Sequence, residues 1–122
     1  MDSFNVLENG QVMRVYNIRD NVVEVHHDML YHVKLVSDKS VILPNNADSA
    51  TVTATVYDYL DNLVNYAGDI HFRLGKSDPF ALPAVGGVAV IEVTSDHVNM
   101  IDIAAWIDNG RSGVCVIDAK TV

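Results

Sequence analysis

Hydrophobic and polar positions take turns, one for one, along most of the carboxy-terminal two thirds of this chain. In "SATVTATVY" (residues 49–57), Val52, Ala54 and Val56 lie on one side and Thr51, Thr53, Thr55 and Tyr57 on the other. A period of two is that of a strand with one buried and one wet face. Threonine suits the wet face, because its branched Cβ favours extended backbone while its hydroxyl meets water. "GDIHFRL" (68–74) sets Ile70, Phe72 and Leu74 against His71 and Arg73. In "GGVAVIEVTS" (86–95) Glu92 marks the outward face, which assigns Ala89, Ile91 and Val93 to a core. "NMIDIAAWID" (99–108) turns Ile101, Ile103, Ala105 and Ile107 inward, opposite Asp102 and Trp106, and "GVCVIDA" (113–119) makes a last short strand.

Turn-forming residues separate these runs: "PNNADS", "YLDN", "GKSDP", "SDH" and "DNGRSG". The last predicts a hairpin, with Asn109 and Gly110 supplying the positive φ that a tight turn requires. No helix-length window repeats apolar residues at intervals of three and four. "YDYLDNLVNY" (57–66) comes nearest, and it predicts a loop holding at most one helical turn. Short strands at near-regular spacing predict an all-β fold, an immunoglobulin-like β-sandwich of about seven strands. Ahead of it, "QVMRVYNI", "VVEVH" and "LYHVKLV" predict a hairpin or meander, its last strand able to feed the first sheet. The division expected is residues 1–36 for this extension and 37–122 for the sandwich.

A chain of 122 residues, 49% hydrophobic and 20% charged, has the makings of one packed domain. Its single cysteine, Cys115, excludes an internal disulfide, so packing must supply the stability. With a net charge of −8 and eight scattered Lys and Arg, there is no basic stripe to neutralise phosphates. Nucleic acid and anionic membrane surfaces are therefore not expected as partners. The opening "MDSFNVLENG" lacks the basic and apolar regions of a secretory signal, and no apolar run is long enough for a membrane helix.

Residues 48–105 carry a family resemblance in "SATVTATVYD", "DNLV", "GDIHFRL", "GGVAVIEVTS" and "MIDIAAW". Together they resemble the bacterial immunoglobulin-like domains (group 1) of invasin- and intimin-type adhesins. The pattern departs from the family at Leu63, which stands where a proline is usual, and at Val85, Gly86 and Gly87. The resemblance implies a sandwich that acts as a structural or adhesive spacer, with no activity of its own.

Candidate chemistry is sparse. His26, His27, Asp28 and His32 are the densest group of metal-ligand types. A turn at residues 27–29 would set His26 against His32 across a hairpin, able to hold a transition metal, although solvated turn histidines are the plainer reading. Asp58, Asp61, Asp69, Asp96 and Asp108 fall at strand ends, where several carboxylates could meet calcium. Aspartate is also common in turns because it bonds nearby amides. No serine lies in a Gly-x-Ser-x-Gly elbow, and Cys115 sits mid-strand as an inert thiol. No catalytic residue and no cofactor are expected. Trp106, flanked by Asp102 and Asp108, is the candidate contact residue, for a sugar ring or a protein partner, unless other chain covers it.

These readings favour a non-enzymatic module whose partners are other protein subunits, such as a phage capsid-decoration or tail protein assembled in the cytoplasm. The alternative is an adhesin or enzyme-appended domain at a bacterial surface, part of a larger chain, that binds host glycan or protein.

Overall fold

The computed structural model describes residues 30–108 and 110–121 with their side chains, and residues 2–8, 11–19 and 22–29 as strand backbone. The first three strands, β1 (Asp2–Glu8), β2 (Gln11–Arg19) and β3 (Val22–Met29), form an antiparallel meander in the order β1-β2-β3. Nine further strands build two sheets: β4 (Tyr31–Ser37), β5 (Val41–Ile42), β6 (Ala50–Asp58), β7 (Asp69–Leu74), β8 (Phe80–Pro83), β9 (Val88–Val93), β10 (Asn99–Trp106), β11 (Gly110–Arg111) and β12 (Gly113–Ala119). One sheet runs β5-β12-β10-β7-β8 and the other β11-β4-β6-β9. Without the two-residue β5 and β11, they make a seven-stranded immunoglobulin-like sandwich.

Alternation places the core as the sequence predicts. Val52, Ala54 and Val56 from β6 are fully buried, and they face Ile70 and Phe72 from β7 and Ile103 and Ala105 from β10. Ala89, Ile91 and Val93 close one flank, and Ile117 and Ala119 the other. Many of these side chains are small, so the sheets approach closely, and Phe72 and the isoleucines fill the middle.

Three features extend or alter the reading from sequence. Tyr31–Ser37, the last strand of the expected extension, does feed the first sheet, pairing antiparallel with β6 from Tyr31↔Asp58 to Ser37↔Val52. The expected division at residues 36 and 37 thus falls inside a strand bonded into the smaller sheet. "FALP" forms β8 against β7, a strand that the alternating pattern does not predict. The connection from β10 to β12 is more than a tight hairpin, because Gly110 and Arg111 reach the opposite sheet and pair parallel with Tyr31 and His32. Gly110 is not among the residues with positive φ, and Asn109 lies outside the described residues. The loop at 57–66 holds turns and an isolated Tyr57↔Leu63 bridge rather than helix.

Carboxylates tie both ends of β6. Asp48 accepts the Leu43 amide at 2.8 Å and the Lys39 ammonium at 2.9 Å. Asp58 Oδ1 accepts the amides of Leu60 and Asn62, each at 2.9 Å. The Lys39 bond first, then the Leu43 amide, holds Asp48 below its ordinary carboxylate range; the Asn62 amide leads for Asp58. A carboxyl depressed in the folded state stabilises it at pH values above the unfolded pKa, about 3.9, and loses that contribution as pH falls through the folded value. The melting temperature should therefore hold level down to about pH 5 and then fall, less steeply in an Asp48→Asn, Asp58→Asn double variant. Calorimetry across pH 2–7 checks this; parallel curves would show that neither carboxylate contributes.

Candidate functional site

The outer face of the five-stranded sheet carries the residue singled out for contact. Antiparallel register aligns Asp102 with Val116, and Ala104 with both Val114 and Arg73. Trp106 lies opposite His71, and their rings stack at 5.7 Å with planes 16° apart. Trp106 is half-buried in this arrangement, so one side of the indole is spent on a neighbour. A shallow cleft of about 330 Å³ opens further along the strands, lined by Arg73, Gly75, Asp102, Ala104, Val114 and Val116 and not by Trp106. Along this face Met100, Val114 and Val116 stand 67%, 71% and 46% exposed.

Asp102 and Trp106 share this face but do not converge. Four residues of strand separate them by about 13 Å, with Ala104 between. Asp108 is exposed beyond the end of β10. There it neighbours Tyr66, whose hydroxyl donates to the Asp69 carbonyl at 3.2 Å. Burial first, then the charges of Asp108 and Asp69, pushes that phenol above its ordinary value. The expected trio is thus spread over one face and one end of the sandwich.

A second cleft, of about 440 Å³, lies at the opposite end, between Asn46, the β7–β8 turn at Gly75 and Lys76, and the β9–β10 turn. It brings together Ser95, Asp96 and His97, residue types of a nucleophilic triad. Their geometry is different. Ser95 Oγ stands 2.8 Å from the His97 carbonyl and 2.7 Å from Asn99 Oδ1, so its single proton goes to one of these and not to an imidazole. His97 Nδ1 meets Asp96 Oδ1 at 2.6 Å, an exposed pair between adjacent residues. That contact holds the Asp96 carboxyl low. A triad needs the base on the nucleophile's hydroxyl; here the hydroxyl staples a turn.

His32 and His26 stand on strands of different sheets. The cross-strand neighbours of His32 are Tyr57 and Arg111, whereas His26 is aligned with Arg14 in the meander. The side chain of His26 lies outside the described residues. His32 Nε2 meets Asp61 Oδ1 at 2.9 Å and its ring stacks on Tyr57 at 5.8 Å. Lys34 joins the same carboxylate at 3.4 Å and sits 4.6 Å above the Tyr57 ring centre. This is a surface network of ion pair and ring contacts, worth little individually. Among the described residues, no three His, Cys, Asp or Glu gather in a way that could hold a metal ion.

The strand-end aspartates divide between the two ends of the sandwich. Antiparallel pairing puts Asp58, Asp61, Asp69 and Asp108 at one end and Asp96 at the other. Asp58 is engaged by loop amides, and Asp61 by His32 and Lys34. Cys115 is half-buried, and burial pushes its thiol upward, away from the thiolate that reactivity needs.

No family model matches the chain, and no curated protein sequence matches it. Its fold is similar to part of a solved structure, a glycosyl hydrolase family 2 (GH2) member from Bacteroides cellulosilyticus, with a TM-score of 0.65 at 12% identity. The likeness covers 93% of this chain and 18% of that one. At this identity it shows a shared sandwich fold. The chain spans under a fifth of the length of the protein it matches.

Proposed function

We propose that the chain is a non-enzymatic, immunoglobulin-like module that serves as a structural part of a larger protein assembly, with a phage virion as its setting. The observation that carries this reading is the exposed row of Met100, Val114 and Val116 beside a half-buried Trp106. An apolar strip with few polar groups converging on it suits a protein surface better than a polar ligand. The group 1 immunoglobulin-like resemblance points the same way. Arg73 in the first cleft and Asn46, Ser95, Asp96, His97 and Asn99 in the second are bonded to neighbouring backbone or to other side chains, which suits a scaffold.

A second reading has its own support. The GH2 likeness favours a module appended to an enzyme, in which a similar sandwich is a small part of a long chain. The mass of the polypeptide in its producing cells separates the two. A product of about this length fits a virion subunit, and a much longer one fits an appended module.

Trp106 is the sole tryptophan, so its fluorescence reports on this face alone. Titration with mono- and oligosaccharides should leave the emission unmoved, and aryl glycosides should not be turned over. A saturable shift lost in Trp106→Ala would replace the scaffold reading with glycan recognition.

A further inference from the structure

The two sheets end in edges of unlike character. On β8 the Ala84 amide donates to the Gly68 carbonyl across the β7 ladder at 2.9 Å. Backbone groups alternate in direction along a strand, so Leu82 and Phe80 also address β7, while residues 79, 81 and 83 address the outside. Residues 79 and 83 are prolines. Of the three outward positions only Ala81 has an N–H, which blunts this edge against another strand.

The β9 edge is built the other way. The Val88 amide donates to the Val85 carbonyl at 3.1 Å and the Val85 amide to the Val88 carbonyl at 2.9 Å, so Val88 points away from β6. Val90 and Glu92 must then do the same, each presenting an N–H and a C=O beyond the sheet. Among the described residues, no strand pairs with that side of β9. Proline is absent from β9, and its single charge is drawn back from the rim. Glu92 Oε1 accepts the Thr51 hydroxyl at 2.7 Å, over the neighbouring strand.

We propose that β9 pairs antiparallel with β9 of a second copy of this chain, merging two four-stranded sheets into one. The inference rests on the assembly reading above and names the partner. The register follows from the groups that are free. Setting Val90 opposite Glu92 of the second copy, and the reverse, lets both pairs exchange both bonds. Pairing Val90 with itself turns Glu92 toward Val88, whose groups are already held by Val85. Pairing Glu92 with itself sets two carboxylates face to face. The favoured register puts Ile91 against Ile91 on the two-fold axis, on the buried side. The Val36–Thr53–Val90 row, with Val36 and Val90 exposed, then runs on to the seam.

Each copy carries a net charge of −8, so repulsion opposes pairing and salt relieves it. Sedimentation of the full chain should show a mass rising with concentration from 13.4 kDa toward twice that. The dimer should be tighter in ~0.5 M salt than at low salt. Val90→Pro removes one outward donor and leaves every bond to β6, so it should stay folded and monomeric, while Val90→Ala still pairs. Amide exchange gives a second readout, in which Val90 and Glu92 are protected at high concentration and fast when dilute. A monomer at every concentration, a Val90→Pro chain that dimerises as well as the parent, or a dimer with fast Val90 and Glu92 amides overturns the proposal. None of these results touches the fluorescence and turnover tests of the scaffold reading.

Discussion

Phe72→Ala should lower the stability of the fold by about 3–5 kcal/mol, a drop in melting temperature of roughly 10–20 °C for a chain of this length. Phe72 is the largest fully buried side chain, placed mid-sheet on β7 with its ring stacked on Phe80 at 5.6 Å and 17°. Truncation forfeits the transfer energy of the ring and leaves a void. The surrounding wall cannot fill it, because Val52, Ala54 and Ala105 are short side chains on rigid strands. With total stabilities of 5–15 kcal/mol typical of such domains, the variant sits near the edge of folding. Phe80→Ala is the internal comparison. Phe80 is 39% exposed on an edge strand, so its loss should be well under half as large. Urea unfolding of both variants measures the difference, and equal losses would mean that the core is centred elsewhere.

The residues that reach into this core were legible in the sequence because a period of two needs no knowledge of partners. Each of Val52, Ala54, Val56, Ala89, Ile91, Val93, Ile101, Ile103, Ala105 and Ile107 is buried, as alternation predicts. Alternation fails where a strand is short or lies at an edge. In β8 only Leu82 is partly buried, and the prolines that flank it read as turn. β5 and β11 are two-residue parallel pairings with strands far away in sequence, and no local pattern signals them.

The contact face shows the same limit. That Trp106 and Asp102 share a side of β10 follows from counting, whereas the Trp106–His71 stack depends on which strand lies alongside and in what register. Whether His26 meets His32 depends on more than the turn between their strands, which belong to different sheets, and the side chain of His26 lies outside the described residues. Edge chemistry, by contrast, could have been found early. Prolines at 79 and 83, spaced by four, mark alternate positions on one side of a strand, and only an edge tolerates that.

Gly87→Ala should cost about 2–4 kcal/mol, and Gly86→Ala only about 1–2. Both glycines have positive φ, 60° at Gly86 and 80° at Gly87, where a side chain is strained. Their surroundings differ. A Cβ on Gly86 meets nothing within 4 Å, whereas one on Gly87 would collide with the Val64 carbonyl oxygen. That oxygen belongs to backbone and cannot swing aside. Gly87 also joins three segments: its amide donates to Tyr66 at 3.0 Å and its carbonyl accepts the Val56 amide at 2.9 Å. Val64 donates in turn to Val56 at 3.0 Å, so relieving the clash pulls the 57–68 loop off the end of β6 and loosens the turn that closes Val88. Freed from Val85, the outward groups of Val88 would lengthen the open edge of β9, and the less stable variant should also self-associate in new registers. Thermal melts of the two alanine variants decide the first point. Comparable losses would show that φ alone matters and that the close approach of the loop is not required.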